Sequence, residues 1–139
     1  MGIGLGIRLV AFAAAMGAGA MLPAQAARAP TLAAFAAVEN GPWELHEIGN
    51  RRAPRLCVPE TAEMLQIRHR RGAGCSRFVI ANEPRTATVH YTCPGAGHGR
   101  TTVTVETPRV VRVETQGIAG GQPFNLELEA RRVAGCAVR

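Results

Sequence analysis

The stretch CSRFVIANEPRTATVHYTC, Cys75 to Cys93, decides how this chain folds. Valine, threonine and aromatic residues alternate with polar ones on both sides of Asn82-Glu83-Pro84, the pattern of two half-buried strands joined by a tight turn. With Glu83, Pro84 and Arg85 as the loop, antiparallel pairing sets Asn82 opposite Thr86, Ala81 opposite Ala87, Val79 opposite Val89, Arg77 opposite Tyr91 and Cys75 opposite Cys93. That register gathers Val79, Ala81, Ala87, Val89 and Tyr91 on one face, as a sheet with one buried side requires. It also brings two cysteines to the same rung.

The same alternation continues downstream in RTTVTVET, RVVRVETQ and FNLELEARRV, separated by PGAGHG, the lone Pro108 and GIAGGQP. Regular spacing with short turns describes an antiparallel meander. Upstream, GPWELHEIG places Trp43 and Leu45 on one face of a strand, and Asn50 to Pro54 forms a basic loop before RLCV. Between RLCV and the meander, PETAEMLQIRHRRGAG carries helix punctuation: Pro59 at the first helical position, Glu60 and Glu63 in the first turn, Arg68, Arg70 and Arg71 in the last, then Gly72 and Gly74. The expected fold is mainly β with one short helix, a curled antiparallel meander of about six or seven strands stapled by two disulfides.

The first 26 residues read differently. Arg8 is the only charge ahead of the apolar run LVAFAAAMGAGAML, and Ala24 and Ala26 flank Gln25. A positive start, a short hydrophobic stretch and small residues at the cut mark a secretory signal peptide, residues 1–26, cleaved after Ala26. The run is too short and too rich in glycine and alanine to anchor a membrane, which takes roughly 20 apolar residues. An alanine-rich linker, 27–40, then leads to the disulfide-stapled domain, 41–139. The expected location is the periplasm, with no transmembrane span after cleavage.

All four cysteines, Cys57, Cys75, Cys93 and Cys136, fall beyond the signal peptide. An even count in a small exported domain reads as two disulfides, and the absence of C-x-x-C argues against a zinc site. The hairpin register favours Cys75 with Cys93. Cys57 reaches the rim of Cys136 if RLCV runs antiparallel to the Trp43 strand. The alternative, Cys57 with Cys75 and Cys93 with Cys136, requires the sheet to curl strongly, because bonded cysteines approach to about 4.4–6.8 Å between Cα atoms.

The chain carries a formal charge of +6, with no lysine and no aspartate. Arg51, Arg52, Arg68, Arg70 and Arg71 are the candidate contacts for anionic envelope components, although the helix dipole offers a structural reason for the last three. Aromatic residues interleaved with the basic ones are too few for a nucleic-acid surface, and no nucleic acid is expected as partner.

PGAGHG is not a phosphate loop. Its glycines lie between two strands rather than ahead of a helix, and GRTT lacks the lysine that touches phosphate. His90, Cys93 and His98 suggest a metal, but an oxidised Cys93 cannot ligate, which leaves at most a weak, exposed two-histidine site. His46 in HEIGN lacks the second histidine of a zinc-protease helix. Ser76, the only serine, has no nucleophile-elbow context. Glu106 and Glu114 could face each other across the Pro108 hairpin, yet arginines on the same strands make them surface ion pairs first. No catalytic residue and no cofactor emerge.

GPWEL, LCVP leading into a helix, Cys75 before a strand, YTCPGAGHGRTTV and the closing ARRVAGC together resemble the small exported proteobacterial proteins grouped as domain of unknown function family 3617. The likeness spans about Gly41 to Cys136, with Pro42 standing where a large apolar residue is expected. It implies an envelope location and a cysteine-stapled β domain, and it carries no activity. The resulting expectation is a non-enzymatic periplasmic binding or accessory protein serving an unknown envelope component. Arginine-mediated anion binding and shelter of a small ligand by the curled sheet are the alternatives.

Overall fold

The computed structural model describes residues 31–69 and 72–137. The stretch expected to be a signal peptide, with its expected cleavage after Ala26, residues 27–30 of the expected linker, and Arg70 and Arg71 lie outside the described residues.

Seven strands form one antiparallel sheet: β1 (Trp43–Glu47), β2 (Leu56–Val58), β3 (Ser76–Asn82), β4 (Thr86–Cys93), β5 (Gly97–Thr107), β6 (Val110–Ala119) and β7 (Gln122–Arg132). Their spatial order is β2-β1-β7-β6-β5-β4-β3, so the meander runs unbroken from β3 to β7 and β1 then docks beside β7. Alternation along each strand sorts the side chains. Val89, Val103, Val113 and Leu128 line one face with Trp43 and Leu45, all buried in a single hydrophobic cluster. The opposite face is solvated and laced with ion pairs, Arg112 reaching both Glu106 (3.0 Å) and Glu127 (2.6 Å).

The Cys75–Cys93 hairpin has the expected register at its cysteine end, with Arg77 opposite Tyr91 and Val79 opposite Val89. Beyond Val79 it departs. A β-bulge leaves Ile80 unpaired, so that Ala81 faces Thr88 rather than Ala87, and Asn82 faces Ala87 rather than Thr86. An inserted residue switches the strand's faces, taking Ala81 off the core side and putting Asn82 on it. There Asn82 has work to do: its Oδ1 accepts the Ala33 N–H at 2.7 Å, and its amide donates to the Thr31 carbonyl at 3.5 Å.

Asn82 thereby holds a 3-10 helix, Ala33–Ala37, against the sheet. Leu32 and Ala34 are buried in the core, Phe35 and Val38 pack against it, and the Glu39 N–H donates to the Pro108 carbonyl at 2.9 Å. Within the stretch read as linker, Leu32 and Ala34 are therefore part of the folded body.

The helix after β2 is also 3-10, spanning Thr61–Gln66, with Glu60 as N-cap and no basic residue in its last turn. Short 3-10 pieces commonly serve as connectors, and this one lays Met64 and Leu65 on the core. Arg68 lies past the end, so the dipole explanation for the arginines fails for it.

A second bulge leaves Glu106 without a partner between Val105 opposite Val111 and Thr107 opposite Val110. The Arg85 guanidinium satisfies the carbonyls there, donating to Val105 O at 2.7 Å and Glu106 O at 2.6 Å. Glu106 binds Arg112, whereas Glu114 stands opposite Thr102 and Glu127. The two carboxylates do not face each other, and the catalytic-pair geometry is absent.

Both disulfides are present, Cys57–Cys136 and Cys75–Cys93, with Cα separations of 5.8 and 4.1 Å. β2 runs antiparallel to β1, with Cys57 opposite Glu44, which brings Cys57 to the end of the sheet that Cys136 reaches after β7. Among the described residues no helix is long and apolar enough to cross a membrane.

Candidate functional site

Two features of the core face concentrate polar chemistry. The first is a cavity of about 200 Å³ between the β2-β1-β7 end of the sheet and the chain leaving the second 3-10 helix. Register explains its composition. Leu56 lies opposite Leu45 and Glu47 opposite Leu128, so all four share the core face, and Leu126 is two residues along from Leu128. Leu56, Ile67, Leu126 and Leu128 give the cavity aliphatic walls; Glu47, Arg68 and the turn at Ala53 and Pro54 complete it.

The charge at this site is asymmetric. Glu47 accepts a hydrogen bond from the Asn50 amide at 3.3 Å. Arg68 takes part in no ion pair among the described residues; its guanidinium sits 6.0 Å from the Phe124 ring centroid, a cation–π separation that keeps the group beside the site without neutralising it. Arg51 and Arg52 are exposed in the loop that supplies Ala53 and Pro54. Of the five arginines singled out in the sequence, Arg68 lines the cavity, and Arg51 and Arg52 lie on the loop that borders it.

The second feature is a buried chain of hydrogen bonds joining the second 3-10 helix to the meander. Thr101 Oγ1 donates to the Leu65 carbonyl at 2.9 Å, which commits its only proton, so the 2.7 Å contact with Thr115 is donated by Thr115. His69 Nε2 meets the Ala96 carbonyl at 3.2 Å, and Nδ1 meets the Tyr91 hydroxyl at 3.1 Å. A carbonyl only accepts, so Nε2 donates to Ala96, and Nδ1 accepts a hydrogen bond from the Tyr91 hydroxyl. Burial pushes the Tyr91 phenol above its ordinary value, with the Thr115 hydroxyl and the Arg68 charge pulling the other way.

The glycines of PGAGHG now have their reason. Gly95 is the turn residue, at φ +70°. Gly99 lies within β5, where a Cβ would collide with the Tyr91 hydroxyl, and one at Gly117 on β6 would collide with the His98 carbonyl. Bare backbone at Gly99 makes room for the Tyr91 ring to reach His69, and at Gly117 it lets β6 approach the β5 backbone closely.

Tyr91→Phe strands the His69 acceptor and should cost about 1–3 kcal/mol in urea unfolding. The pH dependence has a defined sign. A phenol that holds its proton more tightly when folded stabilises the fold below the unfolded value of about 10, and that contribution is lost as pH climbs past it. The wild type should therefore lose stability above pH about 10 more steeply than Tyr91→Phe. Tyr91 is the only tyrosine, so phenolate absorbance follows it alone. Equal alkaline slopes would refute the assignment.

The imagined His90–Cys93–His98 trio is divided: Cys93 is disulfide-bonded on the core face, while the two histidines sit on the other. Among the described residues no group of three or more metal-ligating side chains occurs. His46 lies on β1, 3.5 Å from Glu129. Ser76 begins the edge strand β3.

Sequence reasoning missed Glu47, Leu56, Ile67, Leu126 and Leu128 as cavity residues, because nothing local announces that β1 docks on β7. It also missed His69, whose place in an arginine run hid a buried side chain. No protein-family model, curated protein or solved structure matches the chain.

Proposed function

We propose that the protein is an exported, non-enzymatic binding or accessory domain of the cell envelope, whose core-face cavity receives a small amphipathic anion. One observation supports this above the rest: an aliphatic cavity bordered by Arg68, a guanidinium with no ion-pair partner among the described residues. Pockets that bind small molecules combine apolar walls with a few placed polar groups, and a guanidinium pairs with carboxylate or phosphate through parallel hydrogen bonds. At about 30 Å³ per water, the volume suits a short aliphatic acid rather than a full lipid. The two disulfides suggest an oxidising, exported compartment. The signal-peptide pattern and the resemblance to an exported family point to the periplasm.

The test uses hexanoate and hexyl phosphate as probes, titrated into the oxidised protein and followed by amide shifts. Saturable shifts at Leu56, Ile67 and Leu126 are expected, weakened roughly tenfold by Arg68→Gln, since a charge-assisted hydrogen bond contributes about 1.5–3 kcal/mol. Binding that ignores Arg68→Gln, or no saturable shift at these residues, rejects the reading.

A second reading, arginine-mediated attachment to anionic envelope surfaces, draws on the exposed Arg51 and Arg52 in the same loop. Binding to anionic vesicles that falls steeply with salt and with Arg51→Gln/Arg52→Gln, while hexanoate is ignored, would favour it.

A further inference from the structure

The outer face of β4 and β5 carries two histidines that the strands aim at each other. His90 stands opposite Arg100 and Thr92 opposite His98, so the histidines are diagonal neighbours on one face, a separation long side chains bridge. Their ring centroids are 5.9 Å apart, with the planes inclined by 29°. With metal–nitrogen bonds of about 2.0–2.1 Å, two imidazoles on one metal place their centroids about 4.5 Å apart at a right angle and about 5 Å apart at a tetrahedral one. The pair is stacked, about 1 Å wider than a shared ion needs, and rotation of the two side chains on the outer face turns their nitrogens onto one ion.

We propose that His90 and His98 form a two-imidazole site for a divalent transition metal, binding Cu(II) ahead of Ni(II) and Zn(II). Neutral imidazole is a borderline ligand that suits these ions, and the order of affinity at a nitrogen site peaks at copper. No carboxylate stands opposite either histidine: their cross-strand neighbours are Phe78 and Arg100 for His90, and Thr92 and Ile118 for His98. Two protein ligands therefore leave the remaining positions to water. Arg100, on the same face beside both rings, repels a dication, which sets the affinity at micromolar rather than nanomolar. Backbone pairing from both sides fixes β4 and β5, so the histidines are presented on rigid strands.

The experiment titrates Cu(II) into the untagged protein with both disulfides intact, by calorimetry and electron paramagnetic resonance. One equivalent binding at micromolar concentration is expected, with nitrogen hyperfine structure from two imidazoles. His90→Gln and His98→Gln should each weaken binding tenfold or more, and His46→Gln should leave it unchanged. Arg100→His removes the opposing charge, adds a third imidazole on the same face and should tighten binding at least tenfold. Thermal unfolding of each apo variant checks that the sheet is intact. Binding that survives both histidine substitutions, a single-imidazole spectrum, or a wild-type affinity weaker than about 100 µM overturns the proposal. The readouts are independent of the hexanoate site, so either can fail alone.

Discussion

Replacing Cys57 and Cys136 together by serine is expected to lower the unfolding free energy by about 4–5 kcal/mol, against about 3 for Cys75 and Cys93. The difference follows from the loops. The first bond spans 79 residues and the second 18, and a longer loop removes more freedom from the unfolded chain. A domain of this size is stable by only about 5–15 kcal/mol, so losing the long bridge takes about a quarter or more of the total. Paired replacement avoids leaving a stray thiol. Urea unfolding followed by fluorescence of Trp43, the only tryptophan, measures the loss. A cost below about 1 kcal/mol for the long bridge would mean that the unfolded state is already compact without it.

Trp43→Ala should cost about 3–5 kcal/mol, the range for deleting a buried aromatic. Trp43 is fully buried and stands between Val58 on β2 and Arg132 on β7, so it packs where the first strands join the last. Among the described residues its indole N–H finds no hydrogen-bond partner. An unpartnered buried donor costs about 1–3 kcal/mol, and phenylalanine removes that donor while keeping a ring. Trp43→Phe should therefore lose less than about 2 kcal/mol, measured by circular dichroism because the fluorophore is gone. Equal losses for the two variants would mean that removing the N–H is itself costly, and therefore that the donor is satisfied in the fold.

The sheet was legible in the sequence wherever one local rule governed it. Val79, Val89 and Tyr91 announced the cysteine-end register because period-two alternation and the two cysteines agreed on it. Ile80 and Ala81 are both apolar, so no pattern marked the bulge at Ile80; it sets Asn82 where it binds a segment about fifty residues earlier. The arginines after Gln66 looked like helix-dipole partners, yet the helix ends at Gln66 and His69 turns inward to Tyr91. Gly99 and Gly117 read as turn residues because glycine usually marks turns, yet what demands them lies on another strand: the Tyr91 side chain for Gly99 and the His98 backbone for Gly117. The disulfide pairing was readable because both bonds follow strand direction. The cavity was not, since it arises only where β1 meets β7.

That junction also dictates a sequence of events. β1 pairs with β2 nearby but finds its other partner in β7, with Trp43 opposite Arg132, so a chain emerging amino end first must leave one border of β1 open until nearly everything else has been made. The meander can zip strand by strand through short turns, whereas insertion of β7 beside β1 closes a long loop and is entropically the slowest pairing. The Cys57–Cys136 bond fastens that same junction. It is the last clasp to shut, and it records that the two ends of the fold have met.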